Sequence, residues 1–224
     1  MTQHLIKASF HQNPNIGLYS FANDKFCLLP RIISEPLQKE MESVFHVPSH
    51  TMNICGTSML GVFIAGNNHS LLLPKILFDS ERAVFDKLKI PYTILNTDNT
   101  ALGNNITANG HACLIHPDLE PYKAEIKKAL KVEKIKTATI AGIPTVGSLI
   151  VLNDKGCLLS AHASDEEAAE ISSFFNLPVT RGTVNLGSPF VRSGVTSNSH
   201  GFAFGSKTGG PEAVQIDEAL GFLK

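Results

Sequence analysis

The chain has 224 residues, 43% of them hydrophobic and 17% charged, and its formal net charge is −1. That is the composition of a cored globular protein, and the near-neutral balance excludes recognition of nucleic acid through an overall basic field, so any partner is met by a local patch. No stretch approaches the roughly 20 apolar residues of a membrane span, and the opening MTQHLIK lacks the apolar run of a signal peptide, so a cytoplasmic protein with no membrane partner is expected.

In chain order, residues 5–10 alternate with Ile6, Ala8 and Phe10 on one face, which predicts a half-buried strand. A unit then recurs five times: a glycine, a short strand, an Asn turn, a returning apolar strand, a helix and a further strand. The glycines are Gly17, Gly61, Gly103, Gly147 and Gly194, spaced by 44, 42, 44 and 47 residues. The turn Asn (Asn23, Asn67, Asn109, Asn153, Asn198) follows its glycine by six residues in four copies and by four in the fifth. A fixed period of this length means a repeat architecture. The turns are expected to exploit the tolerance of Asn for positive φ. Predicted helices start at Pro36 (Leu37, Met41, Val44, Phe45 inward), at a Ser80 cap (Val84, Phe85, Leu88), at Pro121 (Tyr122, Ile126, Ala129, Leu130), at a Ser164–Glu167 capping box (Ile171, Phe174, Phe175), and at Pro211 (Val214, Ile216, Ala219, Leu220). Strands are expected over 51–54, 92–95, 135–140 and 179–184.

The fifth unit has no strand after its helix, while the first has a strand in front that nothing else uses. The N-terminal strand is therefore expected to complete the fifth unit and close the ring, which removes exposed sheet edges. The expected fold is α+β, one domain over 1–224: a closed ring of five ββα(β) repeats at about 12–55, 56–98, 99–142, 143–187 and 188–224, with a closing strand at 4–11.

Candidate chemistry is sparse. Cys27, Cys113 and Cys157 each stand four residues after a turn Asn, where Leu71 and Phe202 stand in the other copies, so they read as buried free thiols. His69, His111 and His200 share one turn slot with Lys25 and Lys155; on separate units they cannot meet at one ion, so no metal site is expected. Thr208-Gly-Gly-Pro-Glu212 lacks the Gly-Lys-Ser/Thr of a phosphate loop and reads as a helix lead-in. The repeat glycines imply either φ > 0 or a close approach of backbones. All five are expected at one end of the ring, about 20 Å from the cationic turns. The residues that follow them, Leu18, Val62, Asn104, Ser148 and Val195, would form a mixed apolar and polar patch suited to docking a protein.

Pro14-Asn-Ile-Gly17, Asn99-Thr-Ala-Leu-Gly-Asn104, Pro144-Thr-Val-Gly-Ser148, Gly182-Thr-Val-Asn-Leu-Gly187, and Gly210-Pro-Glu212 with Asp217-Glu-Ala-Leu-Gly221 resemble the translation initiation factor 6 family over essentially the whole chain, in its archaeal form. The resemblance implies the pentein α/β propeller, no enzymatic activity and no cofactor. It implies a monomeric anti-association factor that binds the large ribosomal subunit, blocks joining of the small one, and serves large-subunit maturation or availability. The expected contacts are a large-subunit protein and the nearby sarcin–ricin loop, reached through Leu18, Val62, Asn104 and Val195. Eukaryotic members often carry a basic residue where this chain has Val62. A guanidine-modifying enzyme of the same fold would need a nucleophilic Cys late in the chain, and none follows Cys157. A binding module for another assembly is the third reading.

Overall fold

The apolar tetrapeptides that return from each Asn turn become the middle strands of five three-stranded sheets in the computed structural model, which describes residues 3–223. In the first unit, β2 (Phe21–Ala22) pairs antiparallel with β3 (Cys27–Pro30), which pairs parallel with β4 (Ser49–Met52). The second repeats this with β5 (Ala65–Gly66), β6 (Leu71–Pro74) and β7 (Tyr92–Leu95), and the third with β8 (Ile106–Ala108), β9 (Ala112–Ile115) and β10 (Lys134–Thr137). The fourth uses β11 (Ile150–Leu152), β12 (Cys157–Ser160) and β13 (Val179–Gly182). In the fifth, β14 (Val195–Ser197) and β15 (Phe202–Gly205) accept the N-terminal strand β1 (Leu5–Ala8), which lies parallel to β15 with Leu5 opposite Phe202 and Ala8 opposite Gly205. The chain's first strand thus finishes its last unit.

Each middle strand is buried along its whole length, the pattern of a strand covered on both faces. In the first four units the parallel partner arrives through a helix, Glu35–Phe45, Asp79–Leu88, Lys123–Leu130 and Asp165–Phe175; in the fifth the helix Gly210–Ala219 follows β15 and the N-terminal strand supplies the partner. Four of these helices end in a left-handed residue, His46, Lys89, Lys131 and Asn176, with φ of 52°, 54°, 55° and 55°. That conformation terminates a helix while satisfying its last carbonyls. The apolar clusters join adjacent units: Phe21, Leu28 and Met52 of the first pack with Leu60, Leu71 and Phe85 of the second. The ring closes the same way, as Ile6, Ala8 and Phe10 pack with Cys27, Met41 and Ala203. The fold is an α+β ring of pseudo-fivefold symmetry.

Several boundaries differ from expectation. The second helix begins at Asp79 rather than behind a Ser80 cap, because Glu81 binds back to the Phe78 amide at 3.1 Å and also accepts from Cys55 and Gly56. Pro121 lies inside a 3-10 segment, Pro117–Tyr122, and the α-helix starts only at Lys123. The strands after the helices are four residues each, at 49–52, 134–137 and 179–182, so 51–54, 135–140 and 179–184 were misplaced or too long. Val214, expected inward, is 50% exposed.

Candidate docking face

The ring has two unlike ends. At one end sit the five Asn turns, and none of their residues has positive φ. The Asn was expected for its backbone tolerance; its use is instead in its side chain. Each Oδ1 accepts from the amides two and three residues on, as in Asn198 with His200 (2.9 Å) and Gly201 (3.0 Å). Each Nδ2 reaches a neighbouring unit. Asn23 donates to the carbonyl of Asn67, Asn67 to Asn109, Asn153 to Asn198, and Asn198 to Asn23, at 2.9–3.1 Å. Asn67, Asn153 and Asn198 also donate to the last-turn carbonyls of Leu130, Leu220 and Phe45. Asn109 makes only a long bond of 3.4 Å to Phe175. The cationic tips Lys25, His69, His111, Lys155 and His200 are all exposed beyond this ring of amides.

At the other end the short turns Ile16–Leu18, Leu60–Phe63, Leu102–Asn105, Val146–Ser148 and Val191–Gly194 meet. Their glycines serve close approach, not positive φ. A Cβ on Gly61 would stand 1.9 Å from the Gly17 carbonyl oxygen, and one on Gly103 would stand 2.0 Å from that of Gly61. The fifth unit departs from expectation here. A Cβ on Gly17 would meet the Arg192 carbonyl at 1.9 Å, so Arg192, six residues before Asn198, holds the position that glycine holds elsewhere. Gly194 is two residues too late, and Val195 is a fully buried strand residue that no partner can touch. Ser193, half-exposed, takes the place assigned to Val195.

Leu18, Val62, Asn104 and Ser148 are half-exposed beside buried glycines. A surface groove of about 410 Å³ brings together Leu18, Asn104, Ser148 and Ser193, walled by Asn15, Thr145, Ser188 and Phe190; Val62 lies outside it. Ser148 is turned inward, donating to the Thr145 carbonyl at 2.7 Å, and Ser193 donates to that of Phe190 at 2.8 Å. The Asn104 side chain makes no hydrogen bond among the described residues, leaving an amide free at the centre.

The rim of this end is apolar, which the residues following the glycines did not reveal. The middle strands exit here, as do the loops that follow the third strand of each unit. Seven large hydrophobic residues are exposed among the described residues, and five of them lie here: Ile32, Ile76, Phe78, Leu186 and Phe190. Leu186 is the most exposed, at 77%. It stands in a left-handed run, Asn185, Leu186 and Gly187, with φ of 49°, 69° and 92°. The corresponding turns at Cys55–Gly56 and Ala141–Gly142 have two such residues. Leu186 is therefore an insertion in the fifth unit's lead-in, and its signal was the spacing of 45 between Asn153 and Asn198, against 44, 42 and 44 between the earlier turn Asn residues. Glu212 holds the insertion in place, accepting from the amides of Gly187 (2.9 Å) and Leu186 (3.3 Å), from Gly209 (2.8 Å), and from the Thr183 hydroxyl (2.8 Å). Burial would raise the pKa of this carboxyl, but those four donors together hold it below its ordinary value.

Cys55, half-buried in its turn at this end, has its thiol pushed up to about 12 by burial and by the nearby Glu81 carboxylate, away from the reactive thiolate. Cys27, Cys113 and Cys157 are fully buried on middle strands, and burial pushes their thiols up, away from the reactive thiolate. Among the described residues, no group of three or more His, Cys, Asp or Glu is placed to hold a metal ion, and no helix is long and apolar enough to cross a membrane.

A ring with one apolar-rimmed end and one amide-tied end is a scaffold for contact. The chain belongs to the eIF-6 family, whose model matches residues 5–219. It is similar to proteins named translation initiation factor 6. That of Saccharolobus solfataricus is 37% identical over 220 residues, 97% of this chain and 99% of that one. That of Saccharolobus islandicus is 36% identical over 220 residues with the same coverage, and that of Methanocaldococcus jannaschii is 34% identical over 229 residues, 98% and 99%. Among solved structures, DDAH from Pseudomonas aeruginosa in complex with citrulline aligns at 10% identity over 75% of this chain and 68% of that one, with a TM-score of 0.49, a likeness too slight to argue from.

Proposed function

We propose that this protein is a ribosome anti-association factor: its glycine end docks on the large ribosomal subunit, and its bulk then keeps the small subunit from joining. The observation that carries the reading is the one-sided distribution of exposed apolar side chains. Interface cores are depleted of charge and built on aromatic and aliphatic anchors with a few polar handles. Phe190 and Leu186 are the anchors, and Leu18, Asn104 and Ser193 line the groove that Phe190 walls. The partner surface is chiefly protein, because the groove residues carry no cation to meet phosphate. Family membership and the relatives' names support the placement in translation. The proposed function is steric and needs no cofactor, and the reading takes the protein to act as a monomer in the cytoplasm.

The test is sedimentation with purified subunits. The protein is expected to pellet with large subunits and not with small ones, and to lower the yield of joined ribosomes when added before small subunits. Failure to pellet with large subunits, or pelleting without any effect on joining, overturns the reading.

A further inference from the structure

Four of the five units carry glycine at the inner turn, and the fifth carries Arg192, one of the residues that line the chamber along the ring axis. We propose that this axial chamber is a binding site for a small monovalent anion of halide size, seated on the Arg192 guanidinium.

The first ground is an unmatched charge. Arg192 makes no side-chain hydrogen bond and no ion pair among the described residues, and unlike the exposed surface lysines it stands among the residues that line the chamber. Burial alone, with no contribution from a carboxylate, draws its pKa down to about 10. A guanidinium five donors strong does not lose its proton at neutral pH, so it stays charged, and a buried charge demands a partner.

The second ground is that the chamber's own carboxylates are committed elsewhere. Asp24 and Asp154 line its turn-end mouth. Asp24 accepts from Asn68 Nδ2 (2.7 Å), Ser199 N (2.7 Å) and Ser199 Oγ (3.0 Å), and Asp154 is exposed. Neither pairs with Arg192. Donors, by contrast, are spare: the Thr107 hydroxyl on the wall has no partner among the described residues, and Asn109 Nδ2 has only its 3.4 Å bond.

Size and sign fix the ligand class. The chamber's volume is about 70 Å³, and a single water needs roughly 10–15 Å³ on this measure. A halide with a few waters fits, while a nucleotide does not. One guanidinium balances one negative charge, and two carboxylates at the mouth disfavour a multiply charged ion.

The proposal does not depend on the docking face and is tested on the full-length protein. Chloride is titrated against gluconate, too bulky to enter, at constant ionic strength, and thermal melting is followed. The wild-type melting temperature is expected to rise saturably by about 2–4 °C with chloride, and an Arg192→Met variant is expected to show no saturable rise. Crystals grown in bromide supply a readout that needs no variant: an anomalous peak inside the chamber within hydrogen-bond reach of Arg192. Bromide found only on the outer surface, an adventitious ion only, or an equal chloride response in both proteins, overturns the site.

Discussion

The two ends of the ring are built from the same five repeats and do opposite things. At the turn end, polar side chains are consumed inside the molecule: the Asn amides tie each unit to a neighbour and to helix carbonyls. At the glycine end the backbones do the tying, and side chains are released outward as Ile32, Ile76, Phe78, Leu186 and Phe190. Closing a ring at one end with side chains and at the other with bare backbone leaves the exposed apolar side chains gathered at the second end and the exposed cationic tips at the first. The difference can be broken by attacking the closure itself, then each end in turn.

The largest effect is expected from deleting residues 1–11, which removes β1. The deletion bares the edge of β15 and takes Ile6, Ala8 and Phe10 out of the cluster that joins the first and last units. A closing strand supports both neighbours, so the loss should exceed about 4 kcal/mol and be felt by the whole ring. Circular dichroism melting is the check; a truncated protein with the full-length melting curve would show that closure contributes little.

Gly61→Ala comes next. The new methyl would stand 1.9 Å from a backbone oxygen that cannot move without shifting the neighbouring turn. A cost of about 3 kcal/mol is expected in urea unfolding, at the top of the usual overpacking range. A small cost would mean that the glycine end is looser than the turn end, reversing the comparison.

The turn end is probed by Asn198→Ala. The variant leaves two buried carbonyls, of Asn23 and Phe45, and two amides, of His200 and Gly201, without their partner. About 2 kcal/mol should be lost. Asn109→Ala should lose less, about 1 kcal/mol, because its Nδ2 makes only one long bond. Equal losses at the two sites would show that the inter-unit amide bonds add nothing beyond the local turn.

Much of the ring was legible because its determinants are local and repeated. The tetrapeptides Cys27-Leu-Leu-Pro30 and Leu71-Leu-Leu-Pro74 announce doubly covered strands, and the Ser164–Glu167 capping box formed with both of its bonds, 3.1 and 2.9 Å. What was misread depends on contacts between units. Asn looks like a turn former from its own sequence, and only the neighbouring carbonyl shows that its amide is the reason for it. Gly194 imitated the missing fifth glycine, while the true equivalent, Arg192, bore no resemblance to the other four. That single offset moved the fifth contact from Ser193 onto the buried Val195. The apolar rim was invisible for another reason: an isolated Ile or Phe in a loop gives no periodic signal, and only the fold gathers five of them on one side.

The smallest effect is expected at that rim, and it decides which way the ring docks. Leu186→Ala removes a side chain that is 77% exposed, so the fold should not feel it, and urea midpoints should coincide with the wild type. If Leu186 anchors the contact with the large subunit, binding should weaken by about 1 kcal/mol, roughly fivefold in Kd, through lost apolar burial. The insertion supports such a role, since a loop held by two hydrogen bonds from Leu186 and Gly187 to Glu212 presents its side chain at a reduced ordering cost on binding. At the opposite end, Lys25→Glu combined with Lys155→Glu reverses two exposed charges 44–45 residues from their nearest counterparts at His69, His111 and His200 and should leave Kd unchanged. Both proteins can be compared in one pelleting series with large subunits. A lysine pair that weakens binding more than Leu186→Ala would mean that the turn end is the docking face, and that the apolar rim serves some other contact.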